Sequence, residues 1–261
     1  MSRAKVNLTC AAIIALIAVL AACGTSPWKQ DKANAHLNIG IAYLGSERFN
    51  DALKELLEAE KFAPDDPQIH YYMGIAYYGK ALPEKAADEF KKAISLKSDY
   101  SEAHNFLGRL YMEKSLWDDA IAAFKEALAN ILYETPDKAL FNMARAYHGK
   151  GDYQKALSTY EEAKNKQPHT IPPPLIDHYI GITFFAKGDM EKAIQYFTTS
   201  LKQAPALVES RYWLGQCYMK LNDMEKAKAE FRAILKITPE SELGIAAKRS
   251  LDMIEASRYR P

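Results

Sequence analysis

The sequence predicts an all-α protein, a right-handed α-solenoid of six helical hairpins plus a C-terminal capping helix. Three observations carry that prediction. A small residue recurs at Gly40, Gly74, Gly108, Ala144, Gly181 and Gly215, with spacings of 34, 34, 36, 37 and 34 residues. Three residues after each stands an aromatic ring: Tyr43, Tyr77, Tyr111, Tyr147, Phe184 and Tyr218. Twelve after each stands an alanine (Ala52, Ala86, Ala120, Ala156, Ala193, Ala227), and four further on a large side chain, Leu56, Phe90, Phe124, Tyr160, Phe197 or Phe231. Two antiparallel helices that cross closely need residues without bulk at the crossing, and rings fill the volume beside it. A lone hairpin leaves an apolar face in water, so such units hold one another by stacking.

The elements follow in order. Arg3 and Lys5 are the only charges before Lys29, and an apolar run extends from Leu8 to Ala22. That run is short of the roughly 20 residues a spanning helix needs. A basic start, a short apolar stretch and small residues at its end predict a secretory signal peptide over residues 1–22. Leu20-Ala21-Ala22-Cys23 resembles the lipobox of bacterial lipoproteins, and the resemblance implies lipidation of Cys23, with residues 23–32 as lipidated cysteine and tether. Stable anchoring takes more than one acyl chain, which lipoproteins of this kind carry. Asp after the cysteine marks retention at the inner membrane in that family. Gly24 stands there, so the expected location is the outer membrane, lipid-anchored and facing the periplasm.

The repeats are expected at 33–66, 67–100, 101–136, 137–170, 174–207 and 208–241. Pro64, Pro168, Pro205 and Pro239 close four of them, because proline cannot continue a helix. Two insertions break the register. Ile131 to Pro136 lengthens the third repeat, and His169 to Pro174 precedes the fifth, its three prolines predicting a stiff polyproline-like connector. Residues 242–256 carry Leu243, Ala246, Ala247, Leu251 and Ile254 at helical spacing, as a capping helix requires.

Composition narrows function. Without Arg3 and Lys5 the chain has 32 basic against 33 acidic residues, so it lacks the basic excess of a nucleic-acid binder. Of three cysteines, Cys10 leaves with the signal and Cys23 is lipidated, so Cys217 remains as a core thiol with no disulfide partner. No phosphate loop, His-Glu-x-x-His or Cys-x-x-Cys occurs. No catalytic residue, metal site, cofactor or small-molecule substrate is expected, and the chain is read as no enzyme. His36, His70 and His104 recur every 34 residues. Packed helices lie about 8–10 Å apart and a metal–His bond is about 2 Å, so these are read as packing residues.

The small, aromatic, alanine, aromatic and proline order resembles the tetratricopeptide repeat. The resemblance implies a groove lined by the first helix of each hairpin and occupied by a protein. Carried over position by position, its candidate contacts include Tyr71 and Tyr78 in the second repeat, Asn105 and Arg109 in the third, and Phe141 and Arg145 in the fourth, and Asn142 joins Asn105 and Arg109 as a fragment of the family's carboxylate clamp. His178 and Phe185 follow in the fifth repeat and Tyr212 in the sixth. Aromatic or aliphatic ends with an amide-rich, basic middle suit a peptide with apolar anchors and a central acceptor group.

The whole arrangement of lipobox, short tether and six repeats resembles the outer-membrane lipoproteins of type IV pilus assembly, the pilotins. Tyr133-x-x-Pro136-x-x-Ala139-x-x-Asn142 and Asn38-Ile39-Gly40-Ile41-Ala42-Tyr43-Leu44 carry that resemblance. It implies a partner in the pilus secretin, whose assembly such a protein assists. A scaffold for outer-membrane protein insertion or polysaccharide export, and a regulator that binds a cell-wall enzyme, are the alternatives.

Overall fold

The computed structural model describes residues 26–257, so the signal segment and Cys23 lie outside the described residues. Thirteen helices and no strand occur among them. They are α1 Pro27–Gly45, α2 Phe49–Phe62, α3 Pro67–Gly79, α4 Pro83–Leu96, α5 Ser101–Glu113, α6 Trp117–Ala129 and α7 Pro136–Lys150. After these come α8 Tyr153–Asn165, α9 Pro173–Lys187, α10 Met190–Gln203, α11 Val208–Lys220, α12 Met224–Ile237 and α13 Glu242–Ser257. Among the described residues no helix is long and apolar enough to cross a membrane.

The chain divides into two compact units inside α5, between Ala103 and His104. In the first, α1 packs on α2, α2 on α3 and α3 on α4, and the two leading helices α1 and α3 also touch. In the second, consecutive helices from α6 to α13 pack in series, and α7, α9, α11 and α13 line up side by side. This is a helical-repeat solenoid.

Each hairpin is built the same way, for a reason visible atom by atom. A Cβ added at Gly74 would lie 2.6 Å from the Phe90 ring, at Gly108 2.6 Å from Phe124, at Gly181 2.7 Å from Phe197 and at Gly215 2.7 Å from Phe231. The ring of the second helix therefore occupies the space a side chain on the first would need. Those four rings are fully buried, as are the six repeat alanines. Tightly packed interiors of this sort tolerate little change in volume.

The turn between the two helices has its own repeat. Glu47, Ala81, Ser115, Gly151, Gly188 and Asn222 all adopt positive φ, between 56° and 87°, and each lies seven residues after the crossing residue. A left-handed non-glycine residue costs about 1–2 kcal/mol, and glycine's extra freedom when unfolded takes back part of the relief. Ala81→Gly, at φ 56° on an exposed turn, is expected to raise the unfolding free energy by about 0.5–1 kcal/mol. Denaturant titration would show a higher midpoint; an unchanged or lower one would count against the strain argument.

The second helices of the last three hairpins are capped by Asp152, Asp189 and Asp223, whose carboxylates accept from the backbone N–H of Lys155, Lys192 and Lys226. At the C-terminal end, Ala247, Leu251 and Ile254 of α13 bury against Phe231 and Ile234 of α12. This covers a face that would otherwise be apolar and open.

The polyproline connector expected at Pro172–Pro174 is corrected. Pro172 is the N-cap of α9, and Pro173 and Pro174 form its first turn. The first turn has no use for backbone N–H groups, and φ fixed near the helical value suits it, so prolines start this helix.

Candidate protein-binding surface

The leading helices carry the residues that a bound segment could meet. Their polar side chains bond first to the neighbouring repeat. In the second unit Asn142 Nδ2 donates to Asn105 Oδ1 at 3.2 Å, His148 Nδ1 lies 3.0 Å from Thr183 Oγ1, and His178 Nδ1 lies 2.9 Å from Ser210 Oγ. Each contact joins residues 32 to 37 apart, one repeat to the next.

Five of the sequence candidates belong to these interior contacts. Asn105 and Asn142 pair with one another below the surface. His178 is buried against Ser210 and the Phe197 ring. Phe141 is buried with Tyr160 and Tyr179 around it. In the first unit Tyr71 is enclosed by Tyr72, Phe90 and Tyr100, with ring centroids 5.0, 5.9 and 5.0 Å away. The sequence rule assigned these five to a partner; the structure assigns them to packing, because the same helix face must also seat the adjacent repeat.

Tyr78, Arg109, Arg145, Phe185 and Tyr212 stay half-buried, with part of each side chain at the surface. Arg109 and Arg145 are brought together: with Met112, Glu113 and Trp117 they line a recess of roughly 350 Å³. The Arg145 guanidinium lies 5.9 Å from the Phe141 ring and 5.4 Å from the Tyr179 ring, and Arg109 lies 4.9 Å from Phe106. Cation–π contact of this kind holds a guanidinium against the face of a ring. Further along, Phe185 stands edge-on to Trp213 at 5.0 Å, and Tyr212 leans on Phe231 at 5.9 Å.

Trp117 and Trp213 were missed in the sequence. Trp117 begins a second helix, whereas the groove rule reads only first helices. One signal was present: Gly149 ends the next leading helix, and a Cβ there would lie 2.7 Å from the Trp117 ring. Gly79 and Phe49 repeat that pairing in the first unit.

The recurrent histidines have a structural role. His36 Nδ1 lies 2.7 Å from Glu55 Oε2, and His70 Nδ1 lies 2.8 Å from Glu89 Oε2, so each joins the two helices of its own hairpin. Burial disfavours charge on His70, but the Glu89 carboxylate and the Pro64 carbonyl outweigh it and raise its pKa. His178 goes the other way, pushed down to about 4 by burial. Burial pushes the Cys217 thiol up to about 12, which leaves it unreactive. Among the described residues no cluster of His, Cys, Asp and Glu is arranged to hold a metal ion.

The depressed His178 gives a pH prediction. Between about 4 and the ordinary 6.5 the unfolded chain binds a proton that the folded chain refuses, so stability rises with pH across that window. The His178 contribution is complete above 6.5, and about 3 kcal/mol of it is lost on acidification to 4. His178→Asn, which can keep the bond to Ser210, is expected to flatten that part of the profile. Equal slopes for both proteins in chemical denaturation would refute the assignment.

Residues 184–251 and 99–165 match family descriptions reading "tetratricopeptide repeat", and residues 46–80 match one reading "TPR repeat". Together these take in more than half of the chain. Among curated proteins, the Protein CTR9 homolog of Arabidopsis thaliana is 30% identical over 107 residues, which are 40% of this chain and 10% of that protein. The chain spans about a tenth of the length of such curated relatives. Among solved structures, PilF of Pseudomonas aeruginosa aligns with a TM-score of 0.71 at 16% identity, covering 85% of this chain and 99% of that one. PilW, a widely conserved type IV pilus biogenesis factor, aligns with a TM-score of 0.75 at 20% identity, covering 83% and 98%. Identities this low bear on the fold.

Proposed function

We propose a function for this chain from the premise that it belongs to the tetratricopeptide-repeat proteins. It is a non-enzymatic adaptor that binds another protein along its leading helices. In the finer reading it is an outer-membrane lipoprotein that assists assembly of the type IV pilus secretin.

The extent of the likeness carries this reading. The likeness covers nearly the whole of the solved PilF and PilW chains and more than four fifths of this one. The sequence adds Leu20-Ala21-Ala22-Cys23 directly ahead of the first repeat, a placement that suits a protein tethered beside its partner. The recess between Arg109 and Arg145 supplies the chemistry for one anchoring contact. The Arg145 guanidinium beside the Trp117 indole suits a carboxylate flanked by an apolar side chain, since arginine binds carboxylates through paired N–H donors.

Three measurements test it. Cys23→Ser is expected to move the protein from the membrane fraction to the soluble fraction; persistent membrane retention would remove the anchor. Deleting the gene is expected to deplete heat-resistant secretin multimers, whereas unchanged multimers and normal pili would remove the pilus role. Arg145→Glu is expected to weaken binding of the purified secretin about tenfold or more, as loss of an arginine anchor does. Equal binding would place the contact elsewhere.

A further inference from the structure

The loop between α6 and α7 carries the most exposed apolar side chains among the described residues. Ile131 is 95% exposed and Leu132 81%, while the next large apolar residue, Trp28, reaches 60%. They sit on a braced turn. The Leu132 N–H donates to Asn130 Oδ1 at 2.9 Å, and the Tyr133 N–H to the Asn130 carbonyl at 3.1 Å. Tyr133 is buried between Ala127 of α6 and Ala139 of α7, which fastens the loop at its base.

The second insertion is tied to the helix that follows the first. Asp137, in the first turn of α7, is 1% exposed. Its Oδ2 accepts from the Thr170 N–H at 2.6 Å, the Thr170 hydroxyl at 2.6 Å and the Ile171 N–H at 2.9 Å. The segment 169–172 is therefore strapped beside the start of α7, with His169, Thr170 and Pro172 exposed. Asp137 thereby ties segment 169–172 to the helix that begins directly after the loop.

From this we infer that Ile131 and Leu132 form a preorganised apolar knob that seats in a hydrophobic pocket of a different protein. Two observations select that occupant. The charges around the tip cancel, Lys125 against Glu126 and Lys138 against Glu134. The tip therefore lacks the basic rim that draws apolar loops to anionic membrane surfaces. Two aliphatic side chains also fall well short of the roughly 800 Å² per partner that a stable interface takes, so two copies meeting tip to tip would not hold together. A knob of this size works as an anchor inside a pocket supplied by a larger partner surface, and its braced turn lowers the ordering cost of docking. This surface is separate from the arginine recess, and its failure would leave the proposed adaptor role standing.

The test uses the full-length chain in its own cells, with a photo-crosslinking residue at position 132 and, as a control, at exposed Lys202. The expected result is a protein adduct at 132 that is absent at 202, identified by mass spectrometry. The captured protein, purified, then binds the unaltered chain at least tenfold more tightly than the Ile131→Ser, Leu132→Ser double variant. Both side chains are in solvent, so thermal unfolding of the double variant should match the original, which separates lost binding from lost folding. Adducts with lipid, adducts with a second copy, no adduct at 132, or equal binding by the double variant would each overturn the proposal.

Discussion

Lys164→Met is expected to lower the unfolding free energy by about 3–5 kcal/mol, the usual cost of stranding a buried charge. Lys164 Nζ lies 2.5 Å from Asp177 Oδ1 and joins α8 to α9. The two partners differ in exposure: Asp177 is 0% exposed and Lys164 29%. Without the ammonium, the carboxylate keeps only Gln203, whose amide donates from 3.4 Å. The reverse change is milder. Asp177→Asn removes the charge and keeps the shape, and Lys164 can turn to water, so the expected loss is about 1–2 kcal/mol. Denaturant titration of the two single variants and the double variant would show the asymmetry. Equal losses would mean that the pair acts as an ordinary surface ion pair. The contact also crosses the second insertion, so Lys164→Met should increase amide exchange and proteolysis around residues 166–172.

Phe197→Ala is expected to cost about 3–5 kcal/mol, in line with truncation of a fully buried ring. Phe197 is 0% exposed and lies on the backbone of α9 at Gly181. The hole would open at a helix crossing whose sides are fixed by neighbouring hairpins, so the site collapses poorly. Gly181→Ala tests the same contact from the other side. Its Cβ would stand 2.7 Å from the ring, so the helices must separate or the ring must tilt. In the Phe197→Ala background that obstacle is gone, and Gly181→Ala should become neutral or favourable, since alanine is the better helix former. The double-mutant cycle should therefore be strongly non-additive. Additive losses would show that Gly181 is kept for another reason.

The crossings were open to a sequence reading because each needs one residue type at one spacing. Gly74 with Phe90, Gly181 with Phe197 and Gly215 with Phe231 recur at the same interval, and steric demand at a crossing leaves few substitutes. The capping helix was legible for a similar reason, since Ala247, Leu251 and Ile254 keep helical spacing. The left-handed turn was not. Glu47, Ala81 and Ser115 occupy it alongside Asn222 and two glycines, and nothing in the chemistry of those three announces positive φ. The buried acids were equally hidden, because Asp137 and Asp177 look like surface residues until their partners at 164, 170 and 171 are known.

The candidate surface was legible only in part. A rule that counts positions along a leading helix brought Arg109 and Arg145 to notice, and the structure sets them in one recess. It cannot tell the side of a residue that faces solvent from the side that seats the next repeat, so it also selected Tyr71, Asn105, Phe141 and His178, and the clamp resemblance added Asn142. Nor could it show that Asp137 holds the backbone at Thr170 and Ile171.

By itself the sequence determined the repeat, its period and the helices that compose it, because close crossings and apolar periodicity are local demands written into residue type. The tertiary structure decided which of those residues reach the surface. It placed Arg145 beside Trp117, closed Asn142 against Asn105, and exposed Ile131 and Leu132 on a braced turn. The physical reason is that exposure depends on the neighbouring repeat, and a neighbour's packing is not encoded at the position it covers.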